Sequence, residues 1–244
     1  MDHNMIPEKL LLESVQKNVA TALEEDLGTG DVTASLIEDN RLITANVISR
    51  QTALFCGKLW VQETIRQIDK KYKDAQLVHR IDKDTSGCLV IALKKSILRE
   101  FHREIRNKHV DKFYTAVVKG KWPKDLQKIT LAIKKENLKS GERFVQVNKT
   151  GKISETEFNL IRSGQSNSLI RAKIITGRTH QIRVHSSHKG YPIVGDIKYG
   201  DPEYNKLQQS KGLNRMLLHA ESINFTNLGI KQSTPVPEVF SKYV

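Results

Sequence analysis

An α+β fold is the expectation for this chain, and three observations carry it. Residues 144–147, 154–160 and 169–175 alternate apolar and polar side chains at a period of two, the pattern of strands in one antiparallel sheet. Residues 7–27, 58–68 and 96–108 instead space their apolar side chains at helical intervals. Four motif-like blocks, at 79–87, 112–120, 176–200 and 218–220, punctuate the chain, and their reading below sets the kind of sheet expected.

In chain order, the helix over 7–27 follows from Leu11, Val15, Val19, Ala22 and Leu23, with Pro7 near its start and Gly28 past its end. Gly28-Thr29-Gly30-Asp31-Val32-Thr33 is a turn; as a phosphate loop it lacks a third Gly and a preceding strand. Short strands are expected at 42–49 and 53–56, then the helix over 58–68. The apolar run Cys88-Leu89-Val90-Ile91-Ala92-Leu93 reads as a buried strand. The helix over 96–108 is basic, with Leu98, Phe101 and Ile105 as its buried stripe. Lys108, His109 and Lys112 then either follow a nucleic-acid backbone or form a solvated face. Residues 113–118 read as a strand containing Tyr114, 123–131 as a loop, and the polar stretch 134–143 as a mobile hairpin tip. Gly177 breaks the chain, and Thr179 can cap a helix that begins near His180. Residues 192–200 return as loop and short strand, 217–225 as the last core strand, and the tail after Gly229 is irregular in part. No internal repeat or low-complexity tract is visible.

The 244 residues suffice for one large domain or two small ones. No apolar run reaches the length of a membrane span, and the start is acidic where a signal peptide would be basic. Cys56 and Cys88 are far apart without metal-ligand spacing, which predicts reduced core thiols, a cytoplasmic protein and no membrane partner. The net charge of +13 is unevenly spread. Residues 1–73 hold nine Lys/Arg against eleven Asp/Glu, whereas 74–244 hold 31 against 16. General solubility would not predict that split; a polyanion meeting the second part only, RNA or DNA, does.

His79-Arg80-Ile81-Asp82-Lys83-Asp84-Thr85-Ser86-Gly87 packs two carboxylates, two cations and a His ahead of the apolar run. One reading is a solvated turn whose Asp84, Thr85 and Ser86 bond their own backbone. The other is a site in which Asp82 sits beside cations at the mouth of a core element, kept ionised and poorly hydrated, and thus able to act as nucleophile or base. A kinase catalytic loop is excluded, since no Gly-rich phosphate loop precedes it and no Asp-Phe-Gly follows.

Resemblance decides between these. His79–Gly87 resembles the His-Arg-Leu-Asp-x-x-Thr-Ser-Gly loop of the RluA family of pseudouridine synthases, with Ile81 for Leu as its departure. Thr176-Gly177-Arg178-Thr179-His180-Gln181-Ile182-Arg183-Val184-His185, continuing to Pro192-Ile193-Val194-Gly195-Asp196 and Tyr199-Gly200, is similar to a second family block. Lys112–Gly120 and Leu218-His219-Ala220 resemble two more. The four stand in family order and are closest to the enzymes that modify large-subunit ribosomal RNA. The resemblance implies an α+β fold with a mixed, mainly antiparallel sheet, flanking helices and a basic RNA-binding cleft. It implies Asp82 as the catalytic carboxylate, Arg183 as its ion-pair partner, and Tyr114 as the residue that stacks on the uracil and takes part in the C5 proton step. Arg80 would replace the flipped base in the RNA stack, and His79, Arg178 and His180 would contact RNA. No cofactor or metal is required, and a monomer is expected.

Spacing bears on two of these groups. Arg178 and Arg183 are five apart and do not share a helix face, so one can meet solvent or phosphate while the other points inward. His180, His185 and His188 are spaced by five and three rather than as the i, i+4 pair of a helical zinc site, and no Cys is near.

Residues 1–73 carry a separate resemblance. Glu25-Asp26-Leu27-Gly28-x-Gly30-Asp31-Val32-Thr33, with Cys56-Gly57-Lys58-x-Trp60-Val61, is similar to the N-terminal region of bacterial quinolinate phosphoribosyltransferase, without the barrel that holds its substrate pocket. The expected organisation is therefore a small α/β segment over 1–73, an accessory piece or remnant, and a catalytic domain over 74–244. That domain is expected to lack the family's first Lys-Pro-x-Gly block and its S4 domain. Two rival functions follow: a catalytically impaired RNA-binding protein on the same fold, and, far behind, a nicotinate-nucleotide pyrophosphorylase.

Overall fold

The computed structural model describes residues 8–27, 63, 64, 67, 75–137 and 143–244. The expected turn at 28–33, the strands at 42–49 and 53–56, most of the helix over 58–68 and the tip at 138–142 lie outside the described residues. The chain divides into two units, Met1–Val78 with Ile91–Arg99, and His79–Val90 with Glu100–Val244.

In the first unit, helix α1 spans Glu8–Leu27 and buries Val15 and Val19, one turn apart, while Leu10 and Leu12 stay exposed. Glu63, Thr64 and Gln67 are helical, and the Gln67 amide donates to the Gln16 carbonyl (3.0 Å) and to Glu63 (2.7 Å). Strands β1 (Gln76–Leu77) and β3 (Ile91–Ala92) form an antiparallel pair beside buried Ala75 and Val78.

The second unit is built on an eight-stranded sheet. Its strands are β2 (Ser86–Gly87), β4 (Val110–Lys119), β5 (Lys128–Asn137), β6 (Arg143–Val147), β7 (Lys152–Ser163), β8 (Asn167–Ile174), β9 (Leu218–Phe225) and β10 (Ile230–Ser233). The order is β10-β9-β4-β8-β7-β5-β6, antiparallel throughout, with β2 added parallel to β9. This is the mixed, mainly antiparallel sheet expected. Helix α2 (Lys95–Arg106) precedes β4; α3 (Gln181–His188) and α4 (Pro202–Ser210) lie between β8 and β9.

One face of β4, β7, β8 and β9 supplies the main core, where Ala116, Val118, Phe158, Ile170 and Leu218 pack with Ile182 of α3, Trp122 and Ile193. The opposite face meets the C-terminal 3-10 turn Glu238–Tyr243, whose Phe240 packs on Val117, Val194 and Leu217. Helix α3 is buried along most of its length, polar side chains included. The cost of burying them is offset by bonds to the sheet. Ser154 donates its hydroxyl to the Leu131 carbonyl (2.6 Å), so the 2.7 Å contact with His185 must run from a protonated Nε2 of that ring to Ser154. Burial pushes the His185 pKa down to about 4, which keeps the ring neutral.

Several expectations need correction. The apolar run after Gly87 is not one buried strand: only Ile91–Ala92 is extended within it, Cys88 donates instead to the Ala220 carbonyl (2.8 Å), and Leu93 is exposed. Gly87, at φ 114°, redirects the backbone there. The loop expected over 123–131 ends sooner, because β5 starts at Lys128; Lys134 and Lys135 are strand, paired with Gln146 and Val145. These charged positions lie toward the β6 edge, where exposed side chains are tolerated and deter mispairing. Lys112 is half-buried rather than spread along a surface, and burial lowers its pKa. Helix α4 was not anticipated, although Asp201, which accepts from Tyr204 N (2.9 Å), and Pro202 are its cap and first residue.

Candidate active site

The loop between β1 and β2 is pinned from several sides. The Thr85 amide donates to the Asp82 carbonyl (3.0 Å), closing a turn around Lys83 and Asp84. His79 accepts from the Val90 amide at its Nε2 (3.2 Å), so its ring serves the loop itself. Burial, aided by the Lys112 charge, pushes its pKa down to about 4. Ser86 contacts His219 Nδ1 at 2.8 Å and accepts from Arg215, tying the loop to β9. Gly87 lies so close to β9 that a Cβ would stand 2.2 Å from the Ala220 oxygen.

From that loop the Asp82 carboxylate reaches Arg183 of α3, Oδ2 to Nη1, at 3.3 Å. Arg183 is 6% exposed and is held side-on by Asp196, with Nε to Oδ2 at 2.7 Å and Nη2 to Oδ1 at 2.8 Å. Burial alone would lower the Arg183 pKa, but the bonds and charge of Asp196, then Asp82, outweigh it and raise the value. Asp196 takes two of the guanidinium's donors and leaves Nη1 for Asp82. One cation is thus shared unequally between two carboxylates, with the tighter bidentate geometry at Asp196.

Tyr114 sits where the β4–β9 register shifts between Phe113 and Tyr114, opposite Ala172 and Ala220. A bulge re-aims a strand side chain, and alanines on both sides leave room for the ring. Burial, then the charge of Asp82, pushes the Tyr114 phenol upward, so it stays protonated at neutral pH. Arg80 and Arg178 are both exposed, whereas Arg183 is inside.

Helix α3 begins differently from expectation. Its N-cap is His180, in the left-handed region (φ 54°), and it has no side-chain capping bond; Thr179 is not the cap. The Gln181 side chain organises this entry instead. It accepts from Thr176 Oγ1 (2.7 Å) and the Arg178 amide (3.0 Å), and donates to the Glu155 carbonyl (2.8 Å) and Thr156 (2.9 Å). A buried side chain with all four bonds made fixes a loop more firmly than a surface cap does. His180 Nδ1 lies 2.7 Å from the Tyr199 hydroxyl, which also accepts from the Val145 amide (2.9 Å). The Arg183 guanidinium stacks over the Tyr199 ring at 5.0 Å.

Sequence reasoning gave no role to Asp196, Tyr199 or Gln181, nor to the Ser86–His219–Arg215 contact. Five of these six lay inside blocks already singled out: Ser86 in the first, Asp196, Tyr199 and Gln181 in the second, and His219 in the fourth. Among the described residues, no group of three His, Cys, Asp or Glu side chains is arranged to hold a metal ion.

A buried Arg thus bridges two carboxylates at the end of a pinned loop, with Tyr114 near enough for the Asp82 charge to act on its phenol. The RNA pseudouridylate synthase family pattern matches residues 56–188, and the chain belongs to that family. The ribosomal large subunit pseudouridine synthase C of Haemophilus influenzae is 46% identical over 193 residues, 78% of this chain and 60% of that protein. Its Escherichia coli counterpart is 37% identical over 233 residues, 93% of this chain and 72% of that one. Among solved structures, human RNA Pseudouridylate Synthase Domain Containing 1 matches with TM-score 0.60 and 27% identity, covering 72% of this chain and 74% of its own. Human RNA Pseudouridylate Synthase Domain Containing 4 shares the fold, with TM-score 0.60 at 22% identity over 75% of this chain and 80% of its own.

Proposed function

We propose that this protein isomerises uridines to pseudouridine in RNA, with large-subunit ribosomal RNA as its substrate. The observation that carries this reading is the 3.3 Å pair between Asp82 and Arg183, within a chain of the pseudouridylate synthase family. The reaction breaks the bond between uracil N1 and ribose C1′, turns the base and rejoins it through C5. Asp82 acts at the sugar, as nucleophile at C1′ or base at C2′. Because Asp196 takes the tighter share of the Arg183 cation, Asp82 is left with the longer 3.3 Å contact and is free to move onto the substrate. Tyr114 forms the platform for the flipped base. Its phenol is protonated, so in the C5 step it acts as a hydrogen-bonding hydroxyl and not as a phenolate. Arg80 fills the gap left in the RNA stack, offsetting a cost of a few kcal/mol, and Arg178 holds phosphate. The charge excess of residues 74–244 supports the polyanion partner.

Residues 1–73, with their likeness to quinolinate phosphoribosyltransferase, are read as an accessory segment without transferase chemistry, and the protein as a cytoplasmic monomer. The RNA-binding protein without catalysis is the reading to exclude. Tritium release from large-subunit ribosomal RNA carrying uridine labelled at C5 tests both, because isomerisation must expel that hydrogen. Release that vanishes in Asp82→Asn while RNA binding survives is the expected result. Wild-type turnover in Asp82→Asn, or tight salt-dependent binding without release, would overturn the proposal.

A further inference from the structure

Resting on the uridine-isomerising reading, we infer that Tyr199 fixes His180 as a neutral imidazole protonated on Nε2, and that this N–H donates to a carbonyl oxygen of the target uracil. The argument is a count of donors. A phenol has one proton to give. Its oxygen already accepts from the Val145 amide at 2.9 Å, and His180 Nδ1 stands 2.7 Å away. Among the described residues, His180 Nδ1 is the one acceptor within reach of that proton. Were Nδ1 protonated, the oxygen would accept twice and its own hydrogen would have no protein acceptor among the described residues. Tyr199 therefore donates to Nδ1, and the imidazole proton belongs on Nε2.

The surroundings agree. Burial pushes the Tyr199 phenol up to about 12, so the proton it must give is present at neutral pH. Burial also lowers the His180 pKa. Asp82 and Asp196 pull it upward, Arg183 and Lys198 downward, and the ring stays neutral. His180 holds a left-handed backbone (φ 54°), rare for a residue with a Cβ, at a helix N-cap where its side chain makes no capping bond. Such strain is retained where geometry serves a site. The ring meets Tyr199 edge to face, with centroids 5.4 Å apart. Nε2 is not a buried, unpartnered nitrogen like His79 Nδ1 or His185 Nδ1, and Asp82 lies near enough to act on the ring's charge. A neutral N–H beside the catalytic carboxylate suits a neutral carbonyl. A phosphate is better met by a cation, and exposed Arg80 and Arg178 are available for that. Tyr199 is a positioning residue, and His180 is the group that touches the base.

The test is a two-bond proton–nitrogen correlation spectrum of the full chain labelled with 15N-histidine, with His180 assigned by its loss in His180→Gln. The expected pattern is neutral and Nε2-protonated from about pH 7 to about pH 8. An Nδ1-protonated or imidazolium pattern would overturn the inference. In Tyr199→Phe the fixed pattern should give way to a mixture of tautomers; an unchanged pattern removes Tyr199 from the argument and overturns it. A bound large-subunit ribosomal RNA fragment should shift the Nε2 signal, and the same fragment with an abasic target nucleotide should not. A shift that survives the abasic change would assign the contact to phosphate or ribose and refute the carbonyl. In turnover, His180→Gln, whose amide nitrogen approximates Nε2, should stay within about tenfold of wild type, and His180→Asn should lose about 100-fold. Equal losses would count against Nε2 as the donor. The spectrum needs no turnover, so failure of the isomerase reading would show separately, as absent tritium release with the tautomer intact.

Discussion

Asp196→Asn should damage this protein more than its near-identical shape suggests. The carboxylate accepts four bonds: Arg183 Nη2 (2.8 Å), Lys198 N (2.9 Å) and Tyr199 N (3.0 Å) at Oδ1, and Arg183 Nε (2.7 Å) at Oδ2. Asparagine keeps one oxygen. If it replaces Oδ1, the new amide opposes the Arg183 Nε donor; if flipped, it opposes three donors. Either way a charge-assisted bond becomes a donor–donor contact, and Arg183, 7% exposed at its side chain, keeps only Asp82 as counter-ion among the described residues. Breaking one side of a buried pair costs about 3–5 kcal/mol. At about 2–4 °C per kcal/mol for a chain of this size, Tm should fall by about 10 °C. Turnover should fall at least about tenfold, because Asp82 loses its aligned partner and is drawn more tightly to the unbalanced cation. Thermal melting and tritium release at a temperature where the variant stays folded measure the two effects. A Tm within about 2 °C of wild type together with turnover within about twofold would refute the claim that Asp196 sets the geometry of Arg183.

Gly87→Ala places a Cβ 2.2 Å from the Ala220 oxygen at φ 114° and should cost about 3 kcal/mol or more, read as a Tm loss with greatly reduced turnover. An unaltered melt would show that the loop is not pinned to β9. His185, neutral and buried, makes stability rise with pH between its folded value of about 4 and the ordinary 6.5, since the unfolded chain binds the proton first. Lowering pH from 7 to 5 should thus remove about 2 kcal/mol through this residue. Urea melts of His185→Gln should lack that share; an identical pH response would refute it. Arg178→Ala should weaken RNA binding across sequences and reduce the salt slope by about one, and a slope equal to wild type would take Arg178 off the phosphate path.

The candidate site was legible through resemblance. Local pattern left Asp82 in a possible solvated turn, Tyr114 as a core strand residue and Arg183 merely off the face of Arg178; the likeness of the blocks to a family singled the three out. The alternation at 144–147, 154–160 and 169–175 marked three strands, because one-sided burial imposes a period of two. Edges were less legible: Lys134 and Lys135 are strand because β6 pairs with them, a property of the neighbour and not of lysine.

What the sequence determined by itself was the strand and helix periods, the charge asymmetry and, through its likeness to the family's loop, Asp82 as the candidate carboxylate. Tertiary structure alone decided how those groups are used. Asp196 captures two donors of Arg183 across 13 residues, Gln181 reaches back 25 residues to Thr156, and Ser86 meets His219 across 133. Hydrogen bonds are fixed by distance and angle at a few ångströms, and separation along the chain carries no information about either. The fold brings the partners together, and only then does an Asp in a loop have a cation to share.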